Sequence, residues 1–332
     1  MPDGTPRFGI LLPHFGPHAN RDRIIERSAE IERLGFDSIW VRDHVVFRPH
    51  GHEGGDSTFW EPTLALAAIA AVTSRVTLGT GALIPYRHPL HTALLFGTLD
   101  QLTGGDRLIL GFGLGSFDHE FEAVGMGAWD RRKVLPEQVE IMRKVWREDG
   151  VSHQGEFYSF SDVAISPKPR SGAVPVWYSG SSPASVRRAV EFCDGWVPGR
   201  MPRRDFRKRV ERMTRLAQEA GRRVPATGTI PYVSPGRTME EATAGLHLDA
   251  LIEETAKRYP PGESGVFESL EDLDGALVAG PPDVLVEEVV KHVESGVQHF
   301  VFDMRLRFDQ YEEMLDLIAE DVLPEVRRIC AV

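Results

Sequence analysis

Short apolar runs alternate along this chain with amphipathic stretches of helical period. Each run ends in a turn rich in Gly, Asp or Ser. Eight such runs are present: 8–13, 38–43, 76–84, 108–115, 174–180, 195–199, 227–233 and 299–304. Strands that alternate with helices pair in parallel through right-handed crossovers, and eight repeats favour closure into an α/β fold of the (β/α)8 TIM-barrel type. In such barrels the chemistry lies at the carboxyl ends of the strands, so we expect the functional residues there.

The stretches between the runs carry helix signals. In 21–34, apolar residues recur near helical spacing, Asn20 is a suitable N-cap and Gly35 ends the stretch. Similar stretches are 62–73, 90–102, 131–147, 183–192, 204–220, 283–295 and 310–329. The predicted helices therefore match the predicted strands in number.

Three segments are too long for simple connections: 45–61, 116–173 and 257–280. We expect a single barrel domain over 1–332 with these segments as insertions. The aromatic alternation in 155–160 predicts an edge strand. Residues 259–265 are polar and rich in turn formers, which fits either a mobile flap or an ordinary surface loop.

Composition and charge narrow the class of protein. The chain is 42% hydrophobic and 26% charged, as in ordinary globular proteins, and its net charge of −11 disfavours nucleic-acid binding. Cys193 and Cys330 fit neither a metal-ligand spacing nor a disulfide framework, which favours a reducing compartment. Neither a secretory segment nor a membrane-spanning run is evident. We expect a cytoplasmic protein that acts on a small-molecule substrate, with no nucleic-acid or membrane partner.

Asp43 and His44 follow the second strand and are candidate catalytic residues. Histidine readily moves a proton near neutral pH, and Asp43 could fix the tautomer of His44. The structural alternative is a histidine that bonds loop carbonyls.

Glycines mark the ends of the third and fourth strands. Gly79, Thr80 and Gly81 interrupt a strand, which indicates either a bulge against a ligand or relief of crowding in the barrel. Residues 111–116 do not match a dinucleotide GxGxxG fingerprint, because the third glycine comes one place early. In a barrel, Gly113, Gly115 and Ser116 would instead leave room for a ligand.

Gly180, Ser181 and Ser182 follow the fifth strand and precede a helix. Backbone N–H groups, hydroxyls and the helix dipole would converge there, which is typical of an anion site. Arg187 or Arg188 could add a contact. An ordinary serine cap would explain the same residues.

In order and spacing, several segments together resemble the bacterial luciferase-like monooxygenases, and within them the branch that uses coenzyme F420. These segments are 32–44 (ERLGFDSIWVRDH), 73–81 (TSRVTLGTG), 98–102 (TLDQL), 110–115 (LGFGLG), 155–158 (GEFY) and 188–196 (RAVEFCDGW). The resemblance covers almost the whole chain.

The resemblance implies a hydride transfer between bound F420 and a small organic substrate, in a homodimer, with a separate enzyme that reduces the cofactor. It places the ring against 79–81 and beside Asp43 and His44, and the phosphate at 180–182. Some deazaflavin enzymes carry a glutamate proton donor where this chain has Ser116, with Asp118 and Glu120 close by. This departure leaves the general acid unassigned and argues against carrying over a sugar-phosphate dehydrogenase activity.

Three other functions stay open. An FMN-dependent two-component monooxygenase would use the same ring site. A metal-dependent hydrolase is suggested by the HxH pair of 50–52, with His88, His91, His119 and Asp303 as further ligands. A barrel that binds the cofactor only as a carrier or sensor would show no turnover.

Overall fold

The computed structural model describes residues 5–49, 54–262 and 264–331. The strands are β1 (Arg7–Leu11), β2 (Ser38–Val41), β3 (Thr77–Thr80), β4 (Leu108–Gly113), β5 (Val151–Gln154), β6 (Ser159–Val163), β7 (Val176–Ser179), β8 (Gly195–Trp196), β9 (Ala226–Thr229), β10 (Tyr232–Pro235), β11 (Leu277–Gly280) and β12 (His299–Phe302). The helices are α1 (Arg21–Arg33), α2 (Pro62–Val72), α3 (Pro89–Thr103), α4 (Asp118–Ala123), α5 (Arg131–Arg147), α6 (Ser185–Phe192), α7 (Arg203–Glu219), α8 (Met239–Thr243), α9 (Leu248–Ala256), α10 (Pro282–Glu294), α11 (Tyr311–Leu317) and α12 (Leu323–Cys330).

The predicted barrel is confirmed. Parallel strands close it in the order β1-β12-β9-β8-β7-β4-β3-β2, and each of the eight apolar runs contributes one of them. These strands are buried along nearly their whole length, because the helices cover the outside of the barrel and side chains fill its inside. The carboxyl ends of all eight strands therefore open on the same face.

The interior of the barrel is packed with large side chains. Trp40 and Trp177 lie with their ring centroids 6.1 Å apart. A Cβ on Gly79 would lie 2.5 Å from the indole of Trp40, and one on Gly195 would lie 2.4 Å from that of Trp177. The glycines at these two positions thus make space for the two tryptophans, which fill the barrel interior below the carboxyl ends of the strands.

Two elements differ from the sequence prediction. The run 227–233 is not one strand: β9 ends at Thr229, and after Pro231 the chain forms β10, which pairs in parallel with β11 outside the barrel. Pro231 has no N–H to continue the barrel ladder. The strand predicted over 155–160 begins only at Ser159, as β6, because Gly155 starts the turn of the antiparallel hairpin that β6 forms with β5.

The insertions and the chain before the third of them contain more regular structure than the sequence predicted. Helix α4 lies in the second insertion, α8 and α9 lie between β10 and β11, and β11 ends the third. Within the described part of the chain, no helix is both long enough and apolar enough to cross a membrane.

Candidate active site

A cavity of about 720 Å³ opens at the carboxyl ends of the barrel strands. Its lining includes Arg42, Asp43 and His44 after β2, Gly81, Ala82 and Ile84 after β3, Gly113 to Phe117 after β4, Ser179 to Ser182 at β7, Gly199 and Arg200 after β8, and Asp303 and Arg305 after β12. The volume suits a ligand the size of a flavin-type cofactor with a small substrate. The predicted location of the site is therefore where the structure has its barrel-mouth cavity.

His44 faces Glu120, a residue whose role the sequence left open. Its Nδ1 lies 3.2 Å from Oε1 and 3.1 Å from Oε2 of a carboxylate that is almost completely buried. Oε1 also accepts the backbone N–H groups of Val45 and Val46, at 3.0 and 3.2 Å. Burial alone would raise the pKa of Glu120, but the bonds from His44 and these amides lower it overall. The carboxylate is therefore ionised beside the imidazole.

Asp43 does not bond to His44, which corrects the expectation that it fixes the tautomer. Its Oδ2 accepts the backbone N–H of Ile84 at 2.9 Å, and Arg87 pairs with both carboxylate oxygens. Burial raises the pKa of Asp43, and Arg87 opposes that shift. The geometry makes Asp43 a structural anchor between the ends of β2 and β3, although it lines the cavity.

The interruption of β3 that the sequence predicted at 79–81 lies at Gly81–Ala82. Thr80 is buried and its Oγ1 donates to the carbonyl of Gly111 at 2.8 Å, and neither Gly79 nor Thr80 belongs to the cavity lining. The chain leaves the ladder at Gly81–Ala82, whose peptide bond is cis, and rejoins β4 through Leu83. Of the three predicted residues, Gly81 is the one that reaches the cavity, and Gly79 serves packing against Trp40.

The end of β4 presents small residues to the cavity. Gly113, Gly115 and Ser116 line it, and Gly115 has a φ of +73°, which favours glycine. A Cβ on Gly113 would lie 3.3 Å from that of Ala82. The wall between β3 and β4 is therefore lined by small groups on both sides.

Gly180, Ser181 and Ser182 line the cavity after β7. The indole of Trp196 donates to the Gly180 carbonyl at 2.9 Å, and Arg209 donates to that of Ser181 at 2.8 Å, so the loop is tied from two elements. Helix α6 begins at Ser185 rather than at the predicted Pro183, and its N-cap, Ala184, forms no side-chain cap.

An arginine side chain lies beside this loop. Arg188 lines the cavity and donates to the hydroxyl of Tyr178 at 3.2 Å. Arg187, the other candidate, is exposed and lies 3.6 Å from Glu191. Of the two arginines, Arg188 is therefore the one that lines the cavity. Neutral hydroxyls with one guanidinium form an arrangement suited to a phosphate.

The opposite wall is formed by charged residues that the sequence analysis missed. Arg305 pairs with the buried carboxylate of Asp303 at 2.5 Å. Arg200 bonds to the hydroxyl of Tyr232 and lies 3.3 Å from Glu254. Both arginines lie in the segments after barrel strands, β8 for Arg200 and β12 for Arg305, and that position was the signal available in the sequence.

Four aromatic residues near the strand ends, Phe47, Trp60, Tyr86 and Tyr158, do not line the cavity. Phe47, Tyr86 and Tyr158 are buried in hydrophobic clusters, and Trp60 is partly exposed. Phe117 and Ile230 supply apolar surface to the cavity instead.

The metal ligands suggested for a hydrolase do not come together in the described residues. The pair of 50–52 lies outside them. His88 bonds to the backbone N–H of Leu90, and His119 to the carbonyl of Val46. In 5–49, 54–262 and 264–331, no group of three or more His, Cys, Asp or Glu residues could hold a metal ion.

The chain belongs to the luciferase-like monooxygenase family, whose sequence profile matches residues 6–299. The resemblance found in the sequence is therefore confirmed for the family. An F420-dependent glucose-6-phosphate dehydrogenase of Amycolatopsis mediterranei is 31% identical, over 95% of this chain and 96% of that protein.

Solved structures share the fold. An F420-dependent secondary alcohol dehydrogenase in complex with an F420-acetone adduct matches with a TM-score of 0.79 and 20% identity, over 97% of this chain and 99% of that one. The oxygenating constituent of 3,6-diketocamphane monooxygenase from Pseudomonas putida, in complex with FMN, matches with a TM-score of 0.76 and 21% identity, over 96% and 98%. At these identities the likeness shows the fold alone.

Proposed function

We propose that this protein is an oxidoreductase that uses coenzyme F420 to move a hydride to or from a small organic substrate. The observation that carries the proposal is the barrel-mouth cavity, where His44, the break at Gly81–Ala82 and the loop 180–182 face one space. Family membership and the F420-dependent relatives support it.

The residues present fit such a cofactor. Gly81, Ala82 and Gly113 form a surface without large side chains, which suits the face of a planar ring. Gly180, Ser181 and Ser182, with Arg188, would hold the phosphate that F420 and FMN have in common. These two features lie on neighbouring strands, since β4 pairs with β7.

When bound, the deazaflavin donates or accepts the hydride. The chain supplies orientation, exclusion of water and a proton. The imidazole of His44 exchanges the proton that accompanies the hydride, because it is the titratable ring at the cavity wall. Ile84, Leu114 and Phe117 give that wall its apolar surface.

The substrate is a small molecule that packs over the exposed face of the ring, against the wall of Arg200, Tyr232 and Arg305. Ser116 stands where some deazaflavin enzymes carry a glutamate, so the proposal does not extend to glucose 6-phosphate, the substrate in the name of the Amycolatopsis relative.

An FMN-dependent two-component monooxygenase is the second candidate, favoured by the FMN-bound neighbour of the same fold. Titration of the purified protein with F420 and FMN, each oxidised and reduced, separates the two by absorbance and fluorescence. Tight F420 binding with hydride transfer to an acceptor is the expected result. Tight FMN binding with no response to F420 would overturn the proposal, and F420 binding without turnover of any acceptor would favour a carrier or sensor.

We also propose a cytoplasmic homodimer of single-domain subunits, 1–332, served by a separate cofactor-reducing enzyme. Four exposed apolar side chains on the neighbouring helices α2 and α3 support the dimer, namely Leu64, Val72, Leu94 and Leu102. Light scattering after size exclusion tests this, and a monomer at micromolar concentration would contradict it.

A further inference from the structure

We propose that Glu120 is a positioning residue that holds His44 as the neutral Nδ1–H tautomer, which makes Nε2, the nitrogen that Arg42 contacts, the proton acceptor of the ring. The inference rests on the proposed function for its catalytic meaning, but the tautomer itself is an independent property of the folded protein. Glu120 comes from α4 and His44 from the end of β2, so the contact joins an insertion to the barrel mouth.

The Nδ1 side of the ring is settled by the chemistry of its partner. An ionised carboxylate only accepts hydrogen bonds. Glu120 lies within 3.2 Å of Nδ1 through both oxygens, and its side chain is 1% exposed. The amides of Val45 and Val46 also donate to Oε1, and these three donors keep the carboxyl ionised. Nδ1 must therefore carry a proton in this contact.

The Nε2 side leads to the same tautomer. Nη2 of Arg42 lies 3.2 Å from Nε2. A guanidinium has donors and no acceptor, so Nε2 must accept in this contact. A ring that donates at Nδ1 and accepts at Nε2 is neutral. Two partners of opposite charge, from two different elements, thus specify one protonation state.

Packing alone would not choose between the two nitrogens. The ring centroids of Phe47 and Phe59 lie 5.2 and 5.1 Å from that of His44, and such contacts hold the plane of the ring. They treat a flipped ring almost equally, since the two ring orientations differ little in shape. The charge of Glu120 distinguishes the orientations, which is why its role is positioning rather than packing.

The test is a nitrogen NMR measurement on protein labelled with ¹⁵N-histidine, with His44 assigned from the signals lost in His44→Gln. Wild type should show a protonated Nδ1 and an unprotonated Nε2 at neutral pH. Glu120→Gln keeps the shape but can turn its amide N–H₂ toward the ring, so it should give a mixture of tautomers. Its turnover number should fall by about 100-fold or more, because a wrongly oriented imidazole cannot exchange the proton, while the cofactor dissociation constant stays within about twofold.

Glu122→Gln is the matched control, because it removes an exposed carboxylate from the same helix. It should retain both the wild-type tautomer and the wild-type turnover. The inference is overturned by a wild-type His44 that carries its proton on Nε2, or by a Glu120→Gln protein with unchanged tautomer and turnover. The wild-type spectrum decides the tautomer even if Glu120→Gln does not fold or if F420 turnover is absent, so failure of the proposed function is seen separately.

Discussion

Arg87 forms a bidentate ion pair with Asp43, at 2.5 Å from Oδ2 and 2.9 Å from Oδ1 of a carboxylate that is 2% exposed. Arg87 also donates to Glu61 at 2.9 Å, and Glu61 is the N-cap of α2. One guanidinium therefore connects the end of β2, the loop after β3 and the start of a helix. Asp43 is held by this network beside His44 rather than by the imidazole.

Arg87→Met should lower the free energy of unfolding by about 3–5 kcal/mol, because it leaves a buried carboxylate without its partner. Urea denaturation at neutral pH measures the loss. Arg132→Met removes an exposed arginine that pairs with Asp130, and it should change stability little. Equal stability of the two variants would show that the Asp43 pair has no special importance.

His44→Gln should reduce turnover by about 100-fold or more while leaving cofactor affinity nearly unchanged, since the imidazole supplies a proton and not a phosphate contact. Steady-state kinetics under conditions in which hydride transfer limits the rate gives the turnover. Fluorescence titration gives the cofactor affinity. His91→Gln, on the exposed side of α3, is the control. Wild-type turnover in His44→Gln would remove this residue from the mechanism.

The double variant Ser181→Ala, Ser182→Ala should weaken cofactor binding without unfolding the barrel, because the hydroxyls that would bond the phosphate are lost. Arg188→Met should weaken it further. Arg187→Met is a matched control, since Arg187 is directed toward Glu191 at the surface. An unaltered dissociation constant in the double variant would refute the phosphate site.

Gly79→Ala and Gly113→Ala should separate packing from cofactor binding. The Cβ added at position 79 would overlap the indole of Trp40, and overpacking of this kind costs about 1–3 kcal/mol of stability. The Cβ added at position 113 meets only Ala82 at close range, at 3.3 Å, and enters the cavity, so it should lower cofactor affinity more than stability. Thermal unfolding and titration of both proteins check this, and the reverse order would contradict the assignment.

Acid should destabilise the protein between about pH 6.5 and pH 4. Burial lowers the pKa of His14 and His292 to about 4 and that of His299 to about 3. The unfolded chain, with histidine pKa values near 6.5, binds more protons in this range, so stability is fully present above it and is lost as the pH falls. Each histidine adds a slope of up to about 1.4 kcal/mol per pH unit.

Urea unfolding at pH 7, 6 and 5 measures this slope. His292→Gln should reduce it by about a third, and the exposed His91→Gln should leave it as it is. If the free energy of unfolding did not change between pH 7 and pH 5, the buried histidines would not be a source of acid destabilisation.

The barrel strands could be predicted because they are buried on both faces and are short runs rich in apolar and β-branched residues, as in 38–41. The separation of β9 from β10 could not. Residues 227–233 form one β-rich run in which Pro231 alone signals a break, and a proline does not indicate which strand the chain pairs with next. β9 pairs with β12 and β10 pairs with β11, so the division of the run depends on strands that are far away in sequence.

The site was predicted by residue type more successfully than by contact. Asp43 pairs with Arg87 whereas His44 contacts Glu120, so two adjacent residues have their partners on different elements. Glu120 is 76 positions from His44, and nothing local connects the two. The sequence could supply the imidazole and the acid but not the bond between them.

The small sheet of β10 and β11 lies beside the barrel and carries Tyr232, whose ring belongs to the cavity wall. The small-residue surface at Gly81 and Gly113 lies at the ends of other strands, β3 and β4. Substitutions in β10, β11 and the helices between them would therefore change the part of the cavity wall that Tyr232 forms without altering Gly81 or Gly113.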